Sequence, residues 1–348
     1  MTLSSLLDAP RPNSPFLLLQ SSTAQSAVPL LRDFVSRARC CTVLFCCLYP
    51  PNALLNACAS SNVEVHDRIA CVPGYSNDDS HLKNDIIFTV KSILTLHAEP
   101  DSGPLNVVID SLDTINEDIG SVSATYKFLC ELLGLIRARS HPSQLVLHSL
   151  PCPVLRSLIQ PSFSSTIRLV KTHPVALLVH LARSYSSPPP PMTAESAFWG
   201  VFLPLSERMD ESERLLFGPS PDDEELLMSS EMVLEVLIRS THRSKGVERT
   251  LKGWTVNGPC ELPAMSGLKH IFHKQMMISE EAPDPTQNVS FNLNLTPSQQ
   301  KSRAEVPLPY AHEGSPASRK PQPSSVIIYD PDSADDFDDD DPDEDLDI

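Results

Sequence analysis

Short apolar runs of strand length alternate, through residue 184, with segments whose apolar side chains recur every three or four residues. That alternation leaves few folds open. Phe16–Gln20 reads as a buried strand, the polar loop Ser21–Ser26 follows, and Val28, Leu31, Phe34 and Val35 mark a helix to about Arg39. Thr42–Cys47 is the next strand, Asn62–Ala70 another, and His81–His97 a helix with Ile86, Ile87, Val90, Ile93, Leu94 and His97 on one side. Leu105–Asp110 is a central strand ending in an aspartate, and Val122–Arg139 is a helix whose apolar face includes Phe128, Leu129, Leu132, Leu133 and Ile136. Gln144–His148, Thr166–Val170 and Ala197–Leu203 are further strands, with a helix near Val175–Ser184. Apolar strands separated by helices predict an α/β fold, a mostly parallel sheet with helices on both faces.

After about residue 230 helical spacing gives way to alternation. Met232–Ser240 and Val247–Val256 predict C-terminal antiparallel strands joined by a turn at Arg243–Gly246. Ser186–Met192, with four consecutive prolines, is read as a stiff surface loop, and Gly218–Glu225 as a polar, acidic one. From Glu280 the composition shifts to Pro, Asp, Gln, Asn and Ser. The expected organisation is a flexible stretch over 1–13, a folded domain over 14–275, an extended arm over 276–325 and an acidic disordered tail over 326–348.

Apolar residues make up 41% of the chain and lie mostly before the arm, enough for a sizeable core. Prolines number 33 against 11 glycines, the wrong balance for an enzyme built on tight phosphate loops. Nine cysteines form no Cys-x-x-Cys pair; Cys40–Cys41 and Cys46–Cys47 are doublets in an apolar stretch. Reduced thiols and no structural zinc are expected, in a protein of the cytoplasm and nucleus. Asp8, Pro10, Arg11 and Pro12 interrupt the start before the short run Phe16–Leu19, so no secretory leader is read there. No window reaches the ~20 apolar residues of a bilayer span, so no membrane is expected as a partner.

Val326–Ile348 holds eleven Asp, one Glu and neither Lys nor Arg, which is twelve of the seventeen net negative charges of the chain. Such a run stays solvated or meets a basic partner, because a buried carboxylate loses water without gaining a cation. Val326–Tyr329, Phe337, Leu346 and Ile348 punctuate it with hydrophobes that a solubility tail has little need of.

Strand, loop, helix, and then an Asp-ended strand is the layout of a P-loop ATPase core. Such a core needs glycines so that backbone N–H groups wrap the phosphates, a Lys for the terminal phosphate, and a Ser or Thr on magnesium. Here the loop reads Ser-Ser-Thr-Ala-Gln-Ser, without Gly or Lys, and no Gly-Lys-Ser/Thr occurs elsewhere. Asp110 stands as a degenerate counterpart of the magnesium-holding aspartate. With Asp113, its plainer reading is a strand end followed by a helix N-cap. His141, His148, His173 and His180 show no ligand spacing, and no Gly-x-Ser-x-Gly elbow is present. No catalytic residue, metal or cofactor is expected. Arg239, Arg243, Lys245 and Arg249, around the predicted turn, and the pair Arg137/Arg139 are local basic clusters that suit phosphate contact; an exposed turn is also often basic for no other reason.

The arm has the most specific pattern. Phe291, Leu293 and Leu295 alternate with polar residues, which gives an extended strand one apolar face. A short polar helix begins at Thr296 or Gln299 and runs to Ala304, and Val306, Leu308 and Tyr310 are apolar again. Hydrophobes at ordered spacing suit docking on another surface, by strand addition or pocket filling.

Phe291-Asn292-Leu293, Leu295-Thr296, Gln299 or Gln300, Arg303, Val306, Leu308-Pro309-Tyr310, Val326–Asp330 and the terminal acids together resemble the C-terminal signature of the Elongator subunit five family. Phe16–Gln20, Ala24–Ser26, Pro29–Phe34 and Val107–Ser111 fit it as well. The resemblance implies a RecA-like, P-loop-NTPase-like domain without working ATPase motifs, joined to the related subunits four and six in a hetero-hexameric ring. It further implies that the ring serves Elongator by binding and releasing tRNA during wobble-uridine (U34) modification, the catalytic chemistry belonging to another subunit. Partner contacts are then expected at Phe291, Asn292, Leu293, Leu295, Val306, Leu308, Pro309 and Tyr310, and contacts to tRNA around Arg239, Arg243, Lys245 and Arg249. Two rival readings stand beside it: an active RecA-like NTPase, and an acidic-tail scaffold of the histone-binding or transcription-factor kind.

Overall fold

A computed structural model describes residues 14–55, 62–71, 82–96, 103–208, 230–240, 246–272 and 297–305. The chain divides into two units, Met1–Ala282 and Pro283–Ile348. In the first, the elements in chain order are β1 (Phe16–Gln20), α1 (Val28–Arg37), β2 (Cys41–Cys46), α2 (Pro51–Leu54), β3 (Val63–Asp67), α3 (Leu82–Leu96), β4 (Leu105–Ile109), α4 (Leu112–Ile119), α5 (Val122–Arg137) and β5 (Gln144–Ser149). There follow α6 (Leu155–Leu158), β6 (Ile167–Pro174), α7 (Val175–Ser184), α8 (Glu195–Ser206), β7 (Met232–Arg239), β8 (Val247–Thr255) and β9 (Gly258–Cys260), closed by two 3-10 turns over Leu262–Leu268. The second unit contributes α9 (Pro297–Glu305), the polar helix read in the arm.

Among the described residues the strands form one sheet in the order β3-β2-β4-β5-β1-β6-β7-β8-β9. The first six strands are parallel, and β7, β8 and β9 add to β6 as an antiparallel meander. Alternate side chains of the strands feed two cores. Phe16, Leu18, Val107, Ile109, Leu145 and Leu147 pack under α3, α4, α5 and α6. Leu17, Leu19, Val108 and Val146 pack under α1 and α2. A third cluster joins α7 and α8 to Val233 of β7 and the 3-10 turns. The fold is therefore the expected α/β arrangement, a mostly parallel sheet with helices on both faces and C-terminal antiparallel strands. Strand β5 lies between β1 and β4, so the loop after β1 and the aspartate after β4 open on the same carboxyl edge.

Two local expectations are corrected. Ala197–Leu203 is not a strand but part of helix α8. Its apolar residues surround the helix: Phe198, Phe202 and Leu205 face the core while Trp199, Val201 and Leu203 pack at its margin, so a short run shows no helical stripe. The proline-rich loop is not merely superficial, because Ser187 and Pro189 are buried.

Candidate functional site

In an open α/β sheet a ligand belongs beyond the carboxyl ends of the strands. Here that edge is closed by the chain itself. Ser21, directly after β1, is buried, and its N–H donates to the Ser149 carbonyl at 3.0 Å. Its Oγ accepts the Ala27 N–H at 2.8 Å and lies 2.8 Å from His148 Nε2. Nδ1 lies 2.5 Å from the Asp110 carbonyl, which can only accept, so in the neutral ring the proton sits on Nδ1 and Nε2 accepts the Ser21 hydroxyl. His148 is buried, which holds its pKa below the ordinary value although the Asp110 carbonyl, Asp113 and Asp110 pull the other way. Ser22 and Gln25 close a turn on each other, with Ser22 N–H on the Gln25 carbonyl and Gln25 N–H on Ser22 Oγ, both at 3.0 Å. Thr172 of β6 donates to the same Gln25 carbonyl at 2.7 Å.

The N-terminus of α1 is where a phosphate would be held, by backbone N–H groups left over from the helix. Those groups are engaged. Ala27 N–H goes to Ser21 Oγ, Val28 N–H goes to Ser26 Oγ at 3.2 Å, and Pro29 has none to offer. Leu30 N–H turns inward to the Ala27 carbonyl at 3.0 Å.

Asp110 is engaged in the same manner. Oδ1 accepts the Cys47 N–H at 2.7 Å, and Oδ2 accepts those of Leu48 and Tyr49 at 3.1 and 2.8 Å. The carboxylate is wholly buried; burial raises its pKa above the usual range, against the lowering effect of the three N–H groups. Its charges are thus directed at the loop after β2, away from solvent. Ser111, rather than either aspartate, caps α4 by accepting the Thr114 N–H. Asp113 reaches across to β5, where Oδ1 accepts the Leu150 N–H at 3.0 Å. Tyr49 completes the closure by setting its ring edge-on to His148, with centroids 5.9 Å apart. Burial also pushes Cys46 up to about 12, with Asp110 and Asp67 adding to the effect, and raises Cys47, so neither thiol is a nucleophile near neutrality.

Sequence reasoning located Asp110 but not Ser21, His148 or the Cys47–Tyr49 backbone. Pro29 was the available signal, since it removes a donor at the helix start.

The basic residues serve the chain internally where they are described. Arg239 donates to the carbonyls of Ile159 and Ser164, each at 2.7 Å, and to that of Ser165 at 3.3 Å. Arg249 sits 3.3 Å from Glu235 and 5.5 Å over the Trp199 ring. Glu235, buried in β7, also faces His173 at 3.1 Å. Burial would raise its pKa, yet the His173 hydrogen bond and the charges of Lys171, His173 and Arg249 bring it below the usual value. Arg137 donates to Ser164 Oγ at 2.6 Å, and Arg139 to the Gly103 carbonyl at 3.1 Å. Arg243 and Lys245 lie outside the described residues, as do Phe291, Asn292, Leu293, Leu295, Val306, Leu308, Pro309 and Tyr310. Among the described residues no group of three or more His, Cys, Asp or Glu is placed to hold a metal ion, and no helix is long and apolar enough to cross a membrane.

The family model described as Elongator subunit Iki1 matches residues 2–330. Elongator complex protein 5 of Danio rerio is 43% identical over 68 residues, which is 19% of this chain and 23% of that protein. Elongator complex protein 5 of Homo sapiens is 41% identical over 70 residues, with the same shares. The chain thus matches less than a quarter of the length of these relatives. Among solved structures, a KaiC-like protein of Pyrococcus horikoshii OT3 aligns with a TM-score of 0.37 at 9% identity, over 71% of this chain and 89% of that one. A DnaB-like replicative helicase aligns with a TM-score of 0.36 at 10% identity, over 72% and 58%.

Proposed function

Because this chain belongs to the Elongator subunit Iki1 family, we propose that it is a non-catalytic structural subunit of the Elongator complex. It assembles with the related subunits four and six into a hetero-hexameric ring, and the ring supports tRNA binding and wobble-uridine modification in cytoplasm and nucleus. The observation that carries the non-catalytic part is the internal closure of the phosphate position. Ser21 and Ser26 take the N–H groups at the start of α1, Pro29 lacks one, and Asp110 holds the backbone of Cys47–Tyr49. Phosphoryl transfer rests on positioned donors and a metal-holding carboxylate, and both roles are already filled by the protein's own chain.

Assembly is carried by the arm, with Phe291, Leu293, Leu295, Leu308 and Tyr310 as hydrophobic anchors. The test has two parts. Purified chain, alone and with subunits four and six, is assayed for magnesium-dependent hydrolysis; robust turnover by the lone chain refutes the reading. In co-purification, Phe291→Asp with Leu293→Asp releases the partners and leaves the chain soluble, and retained partners refute the role of the arm. Truncation after Tyr310 separates this reading from the acidic-tail scaffold, which loses its partner where the ring persists.

A further inference from the structure

Among the described residues the sheet begins at β3, which pairs only with β2. The Asn62 carbonyl accepts the Thr42 N–H at 2.9 Å, and the Arg68 N–H donates to the Cys46 carbonyl at 2.8 Å. Residues 62 and 68 thus turn their backbone groups toward β2. Glu64 and His66 do the same, because the direction alternates along a strand. The N–H and carbonyl groups of Val63, Val65 and Asp67 point the other way, along the outer edge of the sheet.

Such an edge is a template for another strand, and charged side chains deter an arbitrary one. Glu64, His66 and Asp67 supply that deterrent in three of the five positions of β3. Yet the pattern is complementary to itself. When two copies of β3 meet antiparallel about a two-fold axis at Val65, Val65 faces Val65, Val63 faces Asp67 and Glu64 faces His66. The outward backbone groups then stand opposite one another, so the Val65–Val65 and Val63–Asp67 pairs can exchange N–H···O bonds. Glu64 and His66 fall on the non-hydrogen-bonded pairs, where Cα atoms approach to about 4.5 Å and side chains are closest. Centring the two-fold on Glu64 or His66 instead sets like residues opposite, which forfeits the attraction.

The side chains are already in place for this. Glu64 Oε1 lies 3.0 Å from His66 Nε2, and the His66 ring stacks on Phe45 with centroids 5.2 Å apart. The Glu64 side chain is 50% exposed and that of His66 19%. On the opposite face Val63 and Val65 are partly buried against the core under α1 and α2, so a second copy continues an apolar row as well as a charged one. Side chains fixed beforehand lose little freedom on meeting their counterparts.

We infer that the outer edge of β3 is a self-association surface, whose occupant is β3 of a second copy of this chain and whose register is centred on Val65. The experiment uses the purified full-length chain without other subunits, so its outcome is independent of the assembly reading above. Sedimentation equilibrium is run over ~1–100 μM, the range suited to a small interface. Wild type shows a reversible dimer. Glu64→Lys and His66→Glu each associate at least ~10-fold more weakly, since symmetry makes each change alter two cross-strand pairs. Mixed in equal amounts, these two variants recover the dimer, because the introduced lysine then faces the introduced glutamate and His66 faces Glu64. Val65→Pro removes an outward N–H while sparing the bonds to β2, and it also loses the dimer. Circular dichroism verifies folding; if the proline variant is unfolded, the charge variants decide alone. A monomeric wild type, a dimer that the charge variants leave unchanged, or a mixture that stays monomeric overturns the inference.

Discussion

Asp110→Ala separates the two roles an aspartate at the end of a central strand can have. It removes the acceptor of three N–H groups at 2.7, 3.1 and 2.8 Å. Cys47 is only 7% exposed, so its N–H is left without a partner or a route to water, at a cost of about 1–3 kcal/mol. Leu48 and Tyr49 are partly exposed and rebond to water, at ~0.5 kcal/mol each. Relief from burying a carboxylate, whose cost shows in its raised pKa, offsets part of this. The net expectation is ~2–3 kcal/mol of lost stability. Asp110→Asn, which keeps one acceptor oxygen, falls between alanine and wild type. The assay is urea unfolding followed by tryptophan fluorescence, with a lower midpoint at unchanged slope. An aspartate kept to hold magnesium would behave in the opposite way, its loss abolishing turnover and sparing the fold. A change below ~0.5 kcal/mol for Asp110→Ala would therefore refute the hook.

Three further outcomes follow from the same contacts. A Cβ at Gly253 would stand 2.6 Å from Met265 Sδ and 2.8 Å from Cys260 Sγ. Met265 is fully buried, so Gly253→Ala costs ~1–3 kcal/mol in a urea melt, and Met265→Ala in the same chain recovers part of it. The folded pKa of His148 lies below its ordinary 6.5 because the ring is buried. The unfolded chain therefore takes up a proton first as pH drops below 6.5, and stability falls by at most about 1.4 kcal/mol per pH unit; urea midpoints between pH 7.5 and 5.5 lose that slope in His148→Gln. Arg239→Met removes donors to three carbonyls and costs ~1–3 kcal/mol in a urea melt; unchanged stability would refute that bracing role.

The parallel sheet was legible because its strands are short apolar runs buried on both faces, as in Leu105–Ile109, where every residue is buried. Helix α5 was legible from the stripe Phe128–Ile136. Helix α8 was not, since a helix apolar on all sides looks like a strand when only seven of its residues are read. Strand β6 runs beyond the expected Val170 to Pro174 because His173 and Pro174 pair with Val233 and Met232, partners that are remote in sequence. The site failed to show for the same reason. Asp110 could be named from its position, but the N–H groups it holds lie 61 to 63 residues away. Ser21 and His148 are 127 residues apart. Local spacing carries no information on such contacts, and only the strand order places them together.

That strand order also explains how the phosphate position is closed. Asp110 takes the Leu48 N–H and Asp113 the Leu150 N–H, so the contacts that turn the carboxylates away from any ligand are those that set the two leucines outward. Ser21 completes the frame by tying the loop after β1 to His148, whose ring in turn seats Tyr49. Ser21, His148, Tyr49 and Asp110 thus form one connected network, so the costs of Asp110→Ala and Ser21→Ala in a urea melt are expected to depart from additivity by at least ~0.5 kcal/mol, whereas Asp110→Ala and Gly253→Ala, on β8, add. Additive costs for the first pair would leave Asp110 and Ser21 two separate local braces.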